Sequence, residues 1–128
     1  MQIGKLDHVN VRTNQLESMI DWYTRILGLK KGPRPNFGFH GAWMYSGDDA
    51  VVHLVEVDED PGAGSETNLK VEHFALSASG KKSFEARLVE AGEDFKVIDL
   101  DDVGITQYNI WDPDKNHIHI DFQFEDQG

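Results

Sequence analysis

The first part of the chain alternates between polar and apolar positions and then changes to a helical spacing. The alternation covers residues 6–12 and is typical of a strand that buries one face. Val9 and Val11 lie on the predicted buried face. The opposite face carries His8, Asn10 and Arg12. From Asn14, a candidate N-cap, apolar residues then recur at helical spacing as far as Gly28, where we expect the helix to end.

Both halves of the chain predict the same order of elements. After the first helix, strands are predicted near residues 29–31, 41–45 and 50–57, with a loop rich in Gly and Pro before the second of them. The second half predicts a strand near residues 71–76 and a helix from about residue 79 to 91. Its three remaining strands are predicted near 95–100, 106–111 and 117–124. Each half therefore predicts a βαβββ module.

The positions of four histidines support this internal repeat. His8 and His53 are separated by 45 residues, and His73 and His119 by 46. The offset from the first half to the second is 65 residues for the earlier histidines and 66 for the later ones. Equal offsets at several landmarks indicate a duplicated unit.

The repeat sets the predicted domain boundaries. Module 1 covers about residues 3–57 and module 2 about residues 70–125, and both belong to one domain over residues 1–128. The segment 58–69 between them is acidic and rich in turn-forming residues, so it is predicted to be a linker. The fold class that follows is α+β.

Strand alternation also predicts which way the histidines face. In the last strand the apolar positions must pack on a helix, which leaves His117, His119 and Asp121 on the opposite face. Neutral imidazole is a common ligand of zinc, nickel, iron and copper. A single strand histidine is more often hydrogen-bonded or exposed than metal-bound, so the metal site depends on spacing, facing and repeat together. Without that support, His40 is expected to face solvent, and His117 to lie at the surface or behind the ligands.

Composition excludes several classes of function. The net charge is −11, with 23 acidic residues against 12 Lys and Arg, so a nucleic-acid or membrane-surface partner is not expected. The chain has no cysteine, which excludes disulfides, thiolate zinc sites and a cysteine nucleophile. No apolar segment is long enough to span a membrane, so we expect a cytoplasmic protein.

Four short motifs resemble the vicinal oxygen chelate superfamily. They are residues 7–11 (DHVNV), 21–29 (DWYTRILGL), 72–76 (EHFAL) and 111–116 (WDPDKN), in the order in which the family has them. This superfamily includes glyoxalase I, bleomycin-resistance proteins, fosfomycin-resistance transferases and extradiol dioxygenases. The resemblance implies a glyoxalase-like fold, in which two βαβββ modules form a curled mixed sheet around a metal-binding cleft. It also implies a homodimer, with a site formed within one chain or shared between two.

The resemblance further implies a ligand set and a cofactor. The family's ligand positions correspond to His8, His53, His73 and His119, which would hold one divalent ion such as zinc, nickel or iron. Most relatives have a glutamate at the position of His119, where it takes part in proton transfer. This chain lacks that carboxylate, and Asp121 on the same face is the candidate catalytic base. The alternatives for Asp121 are to orient a ligand histidine or to face solvent at the cleft rim.

The same resemblance suggests how a substrate is held and converted. Asn10 and Arg12 would bind polar substrate groups, with Arg12 suited to a carboxylate, and Trp43 and Tyr45 would stack on an organic substrate. The leading hypothesis is a lyase or isomerase that stabilises an enediolate-like intermediate of a small oxygen-chelating substrate by Lewis-acid catalysis. The alternatives are an extradiol-type dioxygenase and a non-catalytic binding protein of the bleomycin-resistance type.

Overall fold

The computed structural model describes residues 1–59, 70–126 and 128. The chain divides into two compact units, Met1–Ala63 and Gly64–Gly128, and each contains one helix and one four-stranded sheet. The predicted α+β class with two βαβββ modules is therefore confirmed. Most of the linker predicted at 58–69 lies outside the described residues. None of the helices in the described part of the chain has the length and hydrophobicity needed to cross a membrane.

The first unit has a mixed sheet in the order β1-β4-β3-β2, in which β1 runs parallel to β4 and the other neighbours are antiparallel. Its elements are β1 (Val9–Thr13), α1 (Leu16–Arg25), β2 (Lys30–Gly32), β3 (Gly41–Ser46) and β4 (Asp49–Glu56). Helix α1 packs on β3 and β4 through its buried side chains, which include Met19 and Tyr23. The opposite face of the sheet is therefore not covered by this helix.

The second unit repeats the arrangement in the order β5-β8-β7-β6, with β5 parallel to β8. Its elements are β5 (His73–Ser77), α2 (Lys81–Ala91), β6 (Lys96–Leu100), β7 (Ile105–Trp111) and β8 (His117–Gln123). Phe84 of α2 contacts Tyr108 of β7 and Phe122 of β8, with ring centroids 5.7 Å apart in both pairs. These aromatic contacts attach the helix to the face of the sheet that does not carry the histidines.

The two helix starts differ from the prediction for identifiable reasons. The predicted N-cap Asn14 is wrong, because Gln15 precedes α1 and its backbone N–H donates to Thr13 Oγ1 over 3.0 Å. Helix α2 begins at Lys81, two residues later than predicted, after Gly80 in the left-handed conformation. The carboxylate of Asp126, far away in sequence, accepts the Gly80 N–H over 2.8 Å. A partner that distant leaves no local signal in the sequence.

Candidate metal centre

Three histidines of the second unit lie together on one face of its sheet. His73 of β5 is paired in register with His117 of β8, and His119 follows two residues later on the same face. Each histidine offers one ring nitrogen such that all three lie within 4.8 Å of one another. The rings of His73 and His119 are stacked with centroids 3.7 Å apart, and His117 meets His119 edge-on at 4.7 Å. This spacing allows the three side chains to contact one ion.

The Nε2 atom of His119 is buried and has no hydrogen-bond partner among the described residues. The residue is only 8% exposed, and a buried polar atom left unpaired costs about 1–3 kcal/mol. Burial, followed by the nearby His73 and His117, lowers the pKa of His119 below its usual value. The ring therefore favours its neutral form, which is the form that binds metal. These properties fit a divalent metal ion held by three imidazoles.

The carboxylate of Glu72 holds two of these rings in place. His73 Nδ1 lies 3.2 Å from one of its oxygens, and His117 Nδ1 lies 2.5 Å from the other. The hydrogen bond from His117, and then that from His73, lowers the pKa of Glu72. On its other side, His117 Nε2 lies 2.9 Å from Asn109 Oδ1. Both partners are acceptors, so a neutral His117 ring donates to only one of them at a time. A carboxylate on Nδ1 fixes the orientation of a histidine whose Nε2 is to bind a metal.

His117 lies closer to the other histidines than the sequence suggested. Its side chain is only 13% exposed, and Trp111, its register partner on β7, stacks on its ring at 5.2 Å. Strand alternation predicted the face of His117 correctly, whereas its position near a hairpin suggested a side chain at the surface or behind the ligands. His40 lies at the surface as expected, with 85% of its side chain exposed.

The first unit brings its two predicted ligands together as well. The rings of His8 and His53 are stacked at 3.8 Å, and Trp43 stacks on the other side of His53 at 4.1 Å. Asp7 accepts a hydrogen bond from His8 Nδ1 over 2.6 Å, and His53 Nε2 donates to the Ala50 carbonyl over 3.0 Å. In the neutral rings this leaves His8 Nε2 and His53 Nδ1 as the unprotonated nitrogens.

The electrostatics of His53 resemble those of His119. Burial lowers the pKa of His53 first, His8 lowers it further, and the positive charge of Arg34 acts in the same direction. The neutral ring is again favoured. The predicted ligands thus form one pair in each unit, and a single four-histidine centre stays a prediction.

An acid followed by a histidine occurs at the same place in both units. Asp7 precedes and contacts His8, and Glu72 precedes and contacts His73. Strand alternation would send such neighbours to opposite faces, so sequence analysis did not select the two acids. The rule does not apply here, because His8 lies just before β1 and His73 is the first residue of β5. The repeated acid–histidine pair was visible in the sequence as a signal.

Asp121, the candidate base, lies two residues after His119 on the same face of β8. Its Oδ1 atom is buried and has no hydrogen-bond partner among the described residues. The negative charge of Asp121 acts to raise the pKa of His119, against the larger effects of burial and the other histidines. Its catalytic role stays a prediction.

The four candidate substrate-binding residues are distributed over the first unit. Asn10 and Arg12 are exposed on β1, where Asn10 pairs in register with His53. Trp43 is half-buried against His53. The Tyr45 hydroxyl donates a hydrogen bond to the Pro33 carbonyl over 2.5 Å, so its O–H is already engaged. Their contacts with a substrate stay predictions.

Comparison with known proteins identifies the family to which a chain with this fold and these histidines belongs. The chain belongs to the Glyoxalase/Bleomycin resistance protein/Dioxygenase superfamily, whose family model matches residues 5–120. It is 26% identical over 125 residues to "Glyoxylase I 4" from Arabidopsis thaliana, covering 94% of this chain and 71% of that protein.

Solved structures show the same fold. A glyoxylase/bleomycin resistance protein/dioxygenase domain from Frankia sp. EAN1pec has a TM-score of 0.79 and 22% identity, covering 97% of this chain and 95% of that one. A lactoylglutathione lyase from Agrobacterium tumefaciens has a TM-score of 0.69 and 14% identity, covering 95% and 96% of the two chains.

Proposed function

We propose that this protein is a metal-dependent lyase or isomerase of the superfamily, acting on a small substrate with neighbouring oxygen atoms. The observation that carries the proposal is the buried Nε2 of His119, which has no hydrogen-bond partner in the described part of the chain and lies within a group of three histidines. The similarity to "Glyoxylase I 4" supports chemistry of the glyoxalase type.

In this proposal the histidines act as metal ligands and the neighbouring acids orient them. His73, His117 and His119 would hold the ion in the second unit, and His8 and His53 form a second candidate ligand pair in the first unit. A divalent ion bound there supplies Lewis-acid polarisation of the substrate oxygens. Glu72 and Asp7 hold the rings of the first-strand histidines by their Nδ1 atoms. To bind through Nε2, His117 must give up its contact with Asn109.

Asp121 takes the part of the base in this proposal. Its Oδ1, which has no hydrogen-bond partner in the part of the chain that the structure describes, accepts the proton that leaves the substrate carbon. In relatives this is the task of the glutamate at the position of His119. Asn10 and Arg12 orient the polar groups of the substrate. The proposal keeps the cytoplasmic homodimer that the sequence and the family resemblance led us to expect, and the net charge of −11 argues against a nucleic-acid or membrane partner.

The first test is the metal content of the purified protein, measured by elemental mass spectrometry. We expect about one divalent ion per chain, and its loss in a His73→Ala/His119→Ala double variant. His40→Ala is the matched control, because it removes an imidazole ring from an exposed position outside the group of three histidines. Zinc or nickel would support a lyase or isomerase, whereas iron would favour the dioxygenase alternative.

Two results would overturn the proposal. One is a protein that holds no metal and takes up none on titration, which would leave a metal-free binding protein of the bleomycin-resistance type. The other is equal metal content in the double variant and the wild type, which would place the ion elsewhere. The circular dichroism of each variant is compared with the wild type to separate loss of ligands from loss of fold.

A further inference from the structure

The loop between β2 and β3 presents two aromatic side chains at the surface. Phe37 and Phe39 stack with ring centroids 5.4 Å apart and an interplanar angle of 15°. They are 48% and 47% exposed, although large aromatic side chains normally gain free energy by burial. The loop has therefore placed two nearly parallel rings where a ligand can reach them.

The guanidinium group of Arg34 lies against both rings. Its Cζ atom is 5.1 Å from the centroid of Phe37 and 5.0 Å from that of Phe39, within the range of cation–π contacts. One Nη2–H donates to the Phe39 carbonyl over 3.0 Å, which uses one of the five donors of the group. Among the described residues, no carboxylate forms a salt bridge with Arg34. The cation is held in place and keeps donors for an anion.

Gly41 gives the guanidinium its place on the sheet. A Cβ atom at Gly41 would lie 2.9 Å from Arg34 Nη2, so the arginine side chain rests directly on this glycine. Gly41 pairs with Val55, and Trp43 pairs with His53, on the same face of the sheet. Arg34 is thus positioned on the face that carries the histidines of the first unit.

A continuous series of rings connects the loop to these histidines. Phe37 lies 6.3 Å from Trp43, Trp43 is stacked on His53, and His53 is stacked on His8. The positive charge of Arg34 lies at one end of this series and the imidazoles lie at the other, with the ring of Trp43 between them. A planar molecule with an anionic end matches both features.

We propose that Arg34, Phe37 and Phe39 bind the carboxylate and the ring of an aromatic acid. This inference rests on the proposed function and adds the substrate class, which is an aromatic carboxylate. Its carboxylate would face Arg34, and other oxygen atoms of the molecule would face the histidines. The guanidinium pairs with the carboxylate through two parallel N–H donors, and the substrate ring packs on the exposed phenylalanine faces. Among the described residues Arg34 has no carboxylate partner, so its positive charge can attract an anion locally although the chain as a whole has a net charge of −11.

The probe for this site is benzoate, followed by NMR on the ¹⁵N-labelled full chain with and without added zinc. The indole N–H signal of Trp43, assigned with a Trp43→Phe variant, and the backbone amides of Arg34 and residues 36–39 report on binding. Cyclohexanecarboxylate has the charge and size but no aromatic face, and benzyl alcohol has the ring but no charge. We expect benzoate to bind at least about fivefold more tightly than either compound.

Substitutions assign the binding to the proposed residues. Arg34→Gln should weaken benzoate about tenfold and leave benzyl alcohol nearly unchanged, because only the charged partner is lost. Arg25→Gln is the matched control, with the same chemical change on an exposed arginine of α1. A Phe37→Leu/Phe39→Leu variant should remove the preference for benzoate over cyclohexanecarboxylate, and it gives an independent test if Arg34→Gln does not fold.

The outcomes separate this inference from the proposed function. Equal affinity for the three compounds, or equal losses in Arg34→Gln and Arg25→Gln, would overturn the aromatic-acid site even in a protein that binds metal. Benzoate binding at Arg34 in a protein that holds no metal would uphold the site and overturn the metal-dependent activity.

Discussion

The ring of His119 is buried, and burial favours the neutral form of imidazole that binds metal ions. The neighbouring Asp121 also has a buried oxygen without a partner among the described residues, on the same face of β8. Each buried polar atom that lacks a partner costs about 1–3 kcal/mol of stability. At the scale of single residues, a bound ion and a polar substrate would provide the missing partners.

Glu72 gives a residue-scale test of how the metal ligands are held. We expect Glu72→Gln to weaken metal affinity about 10- to 100-fold, because the amide no longer accepts charge-assisted hydrogen bonds from the rings of His73 and His117. Affinity is measured by competition with a chelating dye. Glu90→Gln, on the exposed side of α2, controls for the loss of one negative charge. Equal affinity in the two variants would show that Glu72 does not position the ligands.

At the scale of elements, the sequence predicted most of the structure because strand alternation is set locally. The eight strands and the faces of His53 and His119 follow from it. The contribution of His117 was underestimated, because its stacking on Trp111 depends on cross-strand register. Helix starts were less predictable, since the N-terminus of α2 depends on Asp126, which is 46 residues from Gly80. The same long-range dependence makes that cap testable.

Asp126→Asn should destabilise the second unit by weakening the cap of α2. Burial alone would raise the pKa of Asp126, but the backbone N–H groups of Gly128, Gly80 and Lys81 lower it overall. A carboxyl whose pKa is lowered on folding stabilises the folded state above its ordinary value of 3.8, and this contribution is lost as the pH falls below that value. The midpoint of urea unfolding should therefore differ between wild type and variant at pH 7 and converge in acid. Asp102→Asn, at an exposed turn, should show no such difference at either pH.

At the scale of the whole molecule, the two units repeat the same strand order, the same acid–histidine pair and the same stacking of two histidines. The matched histidine spacing predicted this repetition from sequence. The aromatic loop with Arg34 has no counterpart in the predicted repeat, so periodicity gave no indication of it. The histidine pairs, which both units share, belong to the proposed metal function. The loop with Arg34, which occurs in one unit, belongs to the proposed choice of substrate.

Metal binding should therefore be visible in the stability of the whole chain. A ligand that binds only the folded state stabilises it by about 2.7 kcal/mol at a free concentration 100 times its Kd, so added zinc should raise the thermal midpoint and a chelator should reverse the rise. The rise should diminish in acid, because protons compete for imidazole nitrogen. The lowered pKa of His119 keeps that nitrogen free below pH 6.5, the ordinary value for the residue, so part of the stabilisation should persist there. Scanning calorimetry of the wild type, His40→Ala and His73→Ala/His119→Ala across pH checks this, and an equal rise in all three would show that the stabilising ion binds outside the histidine group.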